Sequence, residues 1–267
     1  MIYEASCASD PAVAPYRHVG DRSWLLANGL FVAEGRLVVD RLMSAGRYRI
    51  ESVLVTPAAF TALADRLTAL DAPVLIASPA LLEEITGFDF HRGCLALAAR
   101  DVPPAVDDVA PDGLLLGLEA VGNPDNVGGL FRTAAALGVS AVLVDTRTAD
   151  PFYRKSIRTS MGAVLDLPFA MIEDWPAAFG RLRTTGYRIV ALTPGPTAEP
   201  LSAFVQRPGI DRLLVLVGAE GAGLSRPLLE AADCRVRIPV GSAVDSLNVT
   251  VAAGIALARI AEARQRL

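Results

Sequence analysis

A chain of 267 residues that is 52% hydrophobic and 20% charged has the material for one large or two modest domains with a sizeable core. Its longest apolar runs, Gly113–Leu118 and Leu213–Gly218, are far too short to span a bilayer. The net charge of −4 carries no general nucleic-acid signature, so any basic footprint has to be local.

The opening residues contain acids and no apolar stretch, so no secretory signal is expected. In chain order, Phe31-Val32-Ala33-Glu34-Gly35 leads into a helical pattern through Leu42. Ser52–Thr56 reads as a strand stopped by Pro57, Ala59–Leu70 as a helix and Pro73–Ala77 as a strand. Pro79–Thr86 follows as a short helix and Cys94–Ala99 as a further strand. This alternation predicts a small α/β domain over residues 1–105. Asp101–Asp112 is rich in proline and aspartate and lacks apolar periodicity, which predicts a linker, assigned to 106–112.

From residue 113 to 267 the alternation resumes. Leu114–Leu118, Ala141–Val144, Tyr187–Leu192 and Leu213–Val217 read as buried strands; Val127–Leu137 and Asn248–Arg264 read as helices. In the last helix Val249, Ala252, Ala253, Ala256 and Ile260 recur at helical spacing. Continuous apolar strands separated by helices predict a parallel sheet covered on both faces. Ligands of such sheets sit at the carboxyl ends of the strands, where the Gly-rich loops fall. Cys7, Cys94 and Cys234 show no CxxC pairing, and His18 and His91 lie far apart. Neither a disulfide framework nor a metal site is expected, and a reducing cytoplasmic setting is.

Two basic clusters stand out against the overall acidity. Arg17, Arg22, Arg36, Arg41, Arg47 and Arg49 form the first; Arg154, Lys155 and Arg158 form the second. Such clusters fit solvated faces, and they also permit phosphate contacts.

Three motifs carry candidate chemistry. In Asn123–Ala134, Asn126 stands where a cap residue opens a helix, and Arg132 lies among Leu130, Phe131, Ala134 and Ala135, where an arginine is expected to have a specific partner. In Leu216–Ser225, a strand runs into Gly218-Ala219-Glu220-Gly221-Ala222-Gly223, a tight loop with exposed amides and one carboxylate. Its glycine spacing matches neither a dinucleotide fingerprint nor a P-loop. In Ile238–Gly254, a short apolar strand runs into a Gly/Ser loop, after which Ser246 or Asn248 caps an alanine-rich helix. No histidine or lysine near Ser246 is available as a base, so a hydrolase triad is not expected.

The order N-x-G-x-x-x-R, then G-A-E-G-x-G-L-S, then I-P-V-x(5)-S-L-N-V-T-V-A-A-G resembles the SpoU/TrmH family of the SPOUT methyltransferases. Between these, Arg158-Thr159-Ser160-Met161-Gly162-Ala163 with Leu167-Pro168-Phe169 resembles the family's S-x-G-A…LP element. Phe31–Gly35 and His91–Leu97 resemble the ribosomal-protein-like substrate-binding domain of many members.

The resemblance implies an α/β fold with a deep trefoil knot in the C-terminal domain, which sequence rules alone do not anticipate. It implies S-adenosylmethionine as cofactor, held by Leu192, Thr193, Gly218, Ala219, Gly221, Ile238, Val240 and Leu247, and no metal. It further implies methylation of a ribose 2′-hydroxyl in structured RNA, ribosomal RNA rather than tRNA, by a homodimer. Arg132, Asn126, Glu220, Ser246 and Asn248 would carry the chemistry, Arg132 by orienting the target phosphate and stabilising a developing alkoxide. Arg36, Arg41, Arg47, Arg154, Lys155 and Arg158 would contact RNA. Asp245 replaces the glutamate of many members. A non-catalytic RNA-binding or ribosome-assembly protein on the same fold is the alternative; such a protein is expected to have lost Arg132, Asn126 or Ser246.

Overall fold

The computed structural model describes residues 1–87, 93–109, 112–241 and 244–264. Two compact units form, one from Met1–Val102 with Phe152–Asp166, the other from Pro103–Pro151 with Leu167–Leu267.

The first unit is built on a five-stranded sheet in the order β1-β4-β3-β5-β2, comprising β1 (Ile2–Glu4), β2 (Leu30–Glu34), β3 (Ile50–Val55), β4 (Val74–Ile76) and β5 (Cys94–Ala99). β1, β4 and β3 run parallel, whereas β5 is antiparallel to both β3 and β2. The helix Pro79–Thr86 spans the residues its sequence predicts. Ser78 accepts from the Leu81 amide, proline occupies the first turn, and Gly87 closes the helix in the left-handed region. The helix expected over Ala59–Leu70 is instead two short ones, Pro57–Ala62 and Ala64–Thr68, broken at Leu63.

Phe152–Asp166, expected to belong to the C-terminal domain, packs in this first unit. Phe152 stacks on Phe31 and meets Tyr48 edge-on, and the Arg154 guanidinium lies 3.2 Å from the buried Glu34 carboxylate. The His91–Arg92 part of the N-terminal resemblance lies outside the described residues.

The second unit carries a seven-stranded sheet in the order β10-β12-β9-β11-β6-β7-β8. Its strands are β6 (Leu114–Glu119), β7 (Val139–Asp145), β8 (Phe169–Ile172), β9 (Arg188–Leu192), β10 (Glu199–Pro200), β11 (Leu213–Gly218) and β12 (Cys234–Arg237). Every neighbouring pair is parallel. β6 and β11 are buried along their whole length, as two covered faces require.

Two expectations fail here for identifiable reasons. The supposed linker contains a helical turn, Val106–Val109, whose two valines enter the core beside Leu115, Leu143 and Ala170. Its apolar residues are three apart, enough for one turn to bury a side and too few to register as periodicity. The strand expected at Ile238–Val240 lies earlier, at Cys234–Arg237. Pro239 has no N–H to give to a ladder, and the chain has left the sheet by then.

Candidate functional site: a cavity at the strand ends

β9 and β11 end beside a cavity of about 400 Å³. Leu192, Thr193 and Pro194 border it after β9; Gly218, Ala219, Glu220 and Gly221 border it after β11. Ile238 and Val240 contribute from the segment beyond β12, and Ser246, Leu247, Asn248 and Ala252 from the run into the last helix. All the residues assigned from sequence to the cofactor meet in this one space, together with Glu220, Ser246 and Asn248. The lining is mostly aliphatic and backbone, and among the described residues it contains a carboxylate and no cationic side chain.

The β11 loop is shaped by a close backbone approach. A Cβ at Gly218 would fall 2.2–2.4 Å from backbone atoms of Gly223 and Leu224, so only glycine lets the loop fold back onto its own strand. The Gly223 amide donates to the Ala219 carbonyl at 2.8 Å and closes the turn that carries Glu220.

A polar constellation joins three parts of the chain beside this cavity. The Asn126 amide nitrogen donates to the Glu220 carboxylate, and the Asn248 amide nitrogen donates to Asn126 Oδ1 at 3.1 Å. Asn248 Oδ1 in turn accepts from the Thr250 amide at 2.9 Å, capping the helix Val249–Arg264. The Thr250 methyl sits against Gly129, where a Cβ would approach it to 2.9 Å. Thr250 belongs to this arrangement although sequence reasoning passed it over.

Asn126 differs from its expected role. The helix Pro124–Ala136 is capped by Asn123, whose side chain accepts from the Asp125 amide, with Pro124 in the first turn. Asn126 is therefore inside the helix and buried, which frees its side chain for Glu220 and Asn248. Arg132 differs as well. It is exposed, does not line the cavity, and has no hydrogen-bond or ion-pair partner among the described residues. Ser246 is exposed at the cavity's edge.

The basic clusters are partly committed inside the first unit. Arg41 pairs with Asp166 at 3.0 Å and donates to the Met161 carbonyl at 3.0 Å; Arg47 donates to the Asp166 carbonyl at 2.8 Å. With Arg154 held by Glu34, three of the six arginines and lysines assigned to RNA secure Phe152–Asp166. Lys155 and Arg158 are half-buried, and Arg36 is exposed.

A further network, not anticipated from the motifs, sits at the ends of β6 and β7. Glu119 and Asp145 are the last residues of these adjacent strands, and both are buried. Arg147 joins them, Nη2 to Glu119 at 2.9 Å and Nε to Asp145 at 3.2 Å. The two carboxylates, Asp145 first through its hydrogen bond, raise the Arg147 guanidinium above its ordinary pKa.

A parallel sheet with a nucleoside-sized cavity at its strand ends defines the class as an α/β protein that binds a small ligand. The chain belongs to the SpoU rRNA Methylase family, whose model matches residues 113–258. An uncharacterized tRNA/rRNA methyltransferase of Mycobacterium tuberculosis is 38% identical over 252 residues, covering 92% of this chain and 87% of the relative. Among solved structures, an AdoMet-bound rRNA methyltransferase from Sinorhizobium meliloti superposes with a TM-score of 0.82 at 26% identity, covering 100% of this chain and 98% of that one. An RNA 2′-O ribose methyltransferase superposes with a TM-score of 0.77 at 28% identity, covering 99% and 100%.

Proposed function

We propose that this protein transfers a methyl group from S-adenosylmethionine to a ribose 2′-hydroxyl of structured RNA, with ribosomal RNA preferred over tRNA. The carrying observation is the cavity itself. Its aliphatic walls and backbone edges suit an adenosine, and a phosphorylated cofactor would find no Lys, Arg or His among the described lining residues. Glu220, the charged group of the lining, suits the cationic end of S-adenosylmethionine. When bound, that cofactor supplies a methyl group activated by its sulfonium.

The chain's own groups supply position and electrostatics. Asn126 holds the Glu220 carboxylate on one side and is held by Asn248 on the other, so the loop and the last helix keep a fixed relation at the cavity. Among the described residues Arg132 has no partner to surrender before meeting an RNA phosphate or a developing alkoxide. Arg132 presents a planar fork of donors suited to orienting a phosphate and stabilising a developing alkoxide. The preference for ribosomal RNA rests on the presence of a separate N-terminal unit and on the similarity, over both units, to the S. meliloti rRNA enzyme.

The trefoil knot and the homodimer belong to the same proposal. In favour of the dimer, Val240, Val244, Val251 and Ile255 are exposed on the loop beyond β12 and the following helix. The intact protein is to be titrated with S-adenosylmethionine by calorimetry. Saturable one-to-one binding per chain is expected; absence of binding would favour the RNA-binding alternative.

A further inference from the structure

Glu119 makes a second contact that connects the network at the ends of β6 and β7 to the cavity. Its Oε2 accepts from the Ser225 amide at 2.8 Å, and Ser225 is the residue by which the Gly218–Gly223 loop leaves toward the next helix. Asp145 is held differently. Its Oδ1 accepts from the Ala120 amide at 2.9 Å, the Thr148 amide at 2.9 Å and the Thr148 hydroxyl at 2.7 Å. Ala120 has a φ of 54°, a left-handed backbone that a non-glycine residue holds only when its surroundings fix it. The residues after Ala120 lead directly into the helix that carries Asn126.

We infer that Arg147, Glu119 and Asp145 form a positioning clamp for the site proposed above. Asp145 fixes the segment entering the Asn126 helix, Glu119 fixes the exit of the loop bearing Glu220, and Arg147 lets the two buried carboxylates stand side by side. None of the three lines the cavity. They act through the loops, and the Asn126–Glu220 hydrogen bond is what the clamp holds in register. The inference rests on the proposed function only for what the cavity binds.

The clamp is asymmetric, and that gives it a specific signature. Without Arg147 the carboxylates repel one another with no counter-charge. Among the described residues Asp145 then keeps three donors to hold it in place, while Glu119 keeps the Ser225 amide. Glu119 should therefore be the one to swing away, releasing the 219–225 loop and sparing residues 120–123.

The test compares wild type, Arg147→Met and the double variant Arg147→Met/Glu119→Gln by amide hydrogen exchange and by S-adenosylmethionine titration. In Arg147→Met, exchange across 219–225 should accelerate about tenfold, with 120–123 and strands β6 and β11 unchanged. The glutamine of the double variant carries no charge and still accepts from Ser225, so protection should return to within about twofold of wild type. Affinity for S-adenosylmethionine should follow the same order, falling about tenfold and recovering. General unfolding would raise exchange everywhere and would not be rescued by removing a second charge. Unchanged exchange at 219–225 in Arg147→Met, equal loosening of both segments, or no rescue would each overturn the clamp. If wild type binds no S-adenosylmethionine while the exchange pattern appears as described, the clamp stands and the cofactor assignment falls.

Discussion

At the scale of single residues, Asn126 is the group on which the site converges. It is buried, donates to Glu220 and accepts from Asn248, so truncation removes both hydrogen bonds and the link between the loop and the last helix. Asn126→Ala should cost about 1–3 kcal/mol of stability, measured by denaturant unfolding, and lower the rate of methyl transfer by more than its effect on folding explains. Arg132 behaves oppositely. Because it is exposed and outside the cavity lining, Arg132→Lys should leave S-adenosylmethionine affinity unchanged by calorimetry while reducing methyl transfer about tenfold or more. Near-normal transfer by Arg132→Lys would show that the planar fork of donors is unnecessary. Cysteine chemistry gives a check on the first unit. Burial pushes the Cys94 thiol up to about 12, whereas Cys7 is exposed and hydrogen bonding to Ser9 lowers its thiol. Iodoacetamide near neutral pH should alkylate Cys7 in the folded protein and reach Cys94 only after unfolding.

At the scale of elements, the sharpest prediction concerns the loop after β11. Gly218→Ala places a methyl group within 2.2–2.4 Å of backbone that cannot move without opening the loop. It should destabilise the protein by about 1–3 kcal/mol and abolish measurable S-adenosylmethionine binding. Asn248→Ala is milder for folding, about 1 kcal/mol for the lost cap, because the helix Val249–Arg264 keeps Ala253, Ala256, Leu257 and Ile260 in the core. Most elements of both sheets were legible from apolar runs bounded by proline and glycine, since a strand covered on both faces has to read that way. β8 and the helix Trp175–Thr184 were not singled out. Asn123 followed by Pro124 is a stronger start signal than Asn126, because proline's missing amide is harmless in the first turn. Arg132 could not be placed from its apolar neighbours. Successive helical residues turn by about 100°, so adjacency in sequence says little about sharing a buried face.

At the scale of the whole molecule, the loops that enclose the cavity were legible because each pairs a strand end with glycine or a cap residue. The connections among them were not. Which amide meets Glu220, or which arginine bridges Glu119 and Asp145, depends on bringing strands together from distant parts of the chain. The N-terminal clusters show the same limit, since Arg41, Arg47 and Arg154 resemble free positive charge until Asp166 and Glu34 are seen beside them. The proposed dimer is also tested at this scale. Sedimentation velocity should give twice the chain mass for wild type, and Val251→Arg with Ile255→Arg should give the monomer. The most direct test of the central claim is to label total RNA with the purified protein and methyl-labelled S-adenosylmethionine, digest it to nucleosides and identify the product. Label should appear in a 2′-O-methylated nucleoside, at a position that lacks the modification in cells without this protein. Label confined to a methylated base would overturn ribose methylation as the reaction.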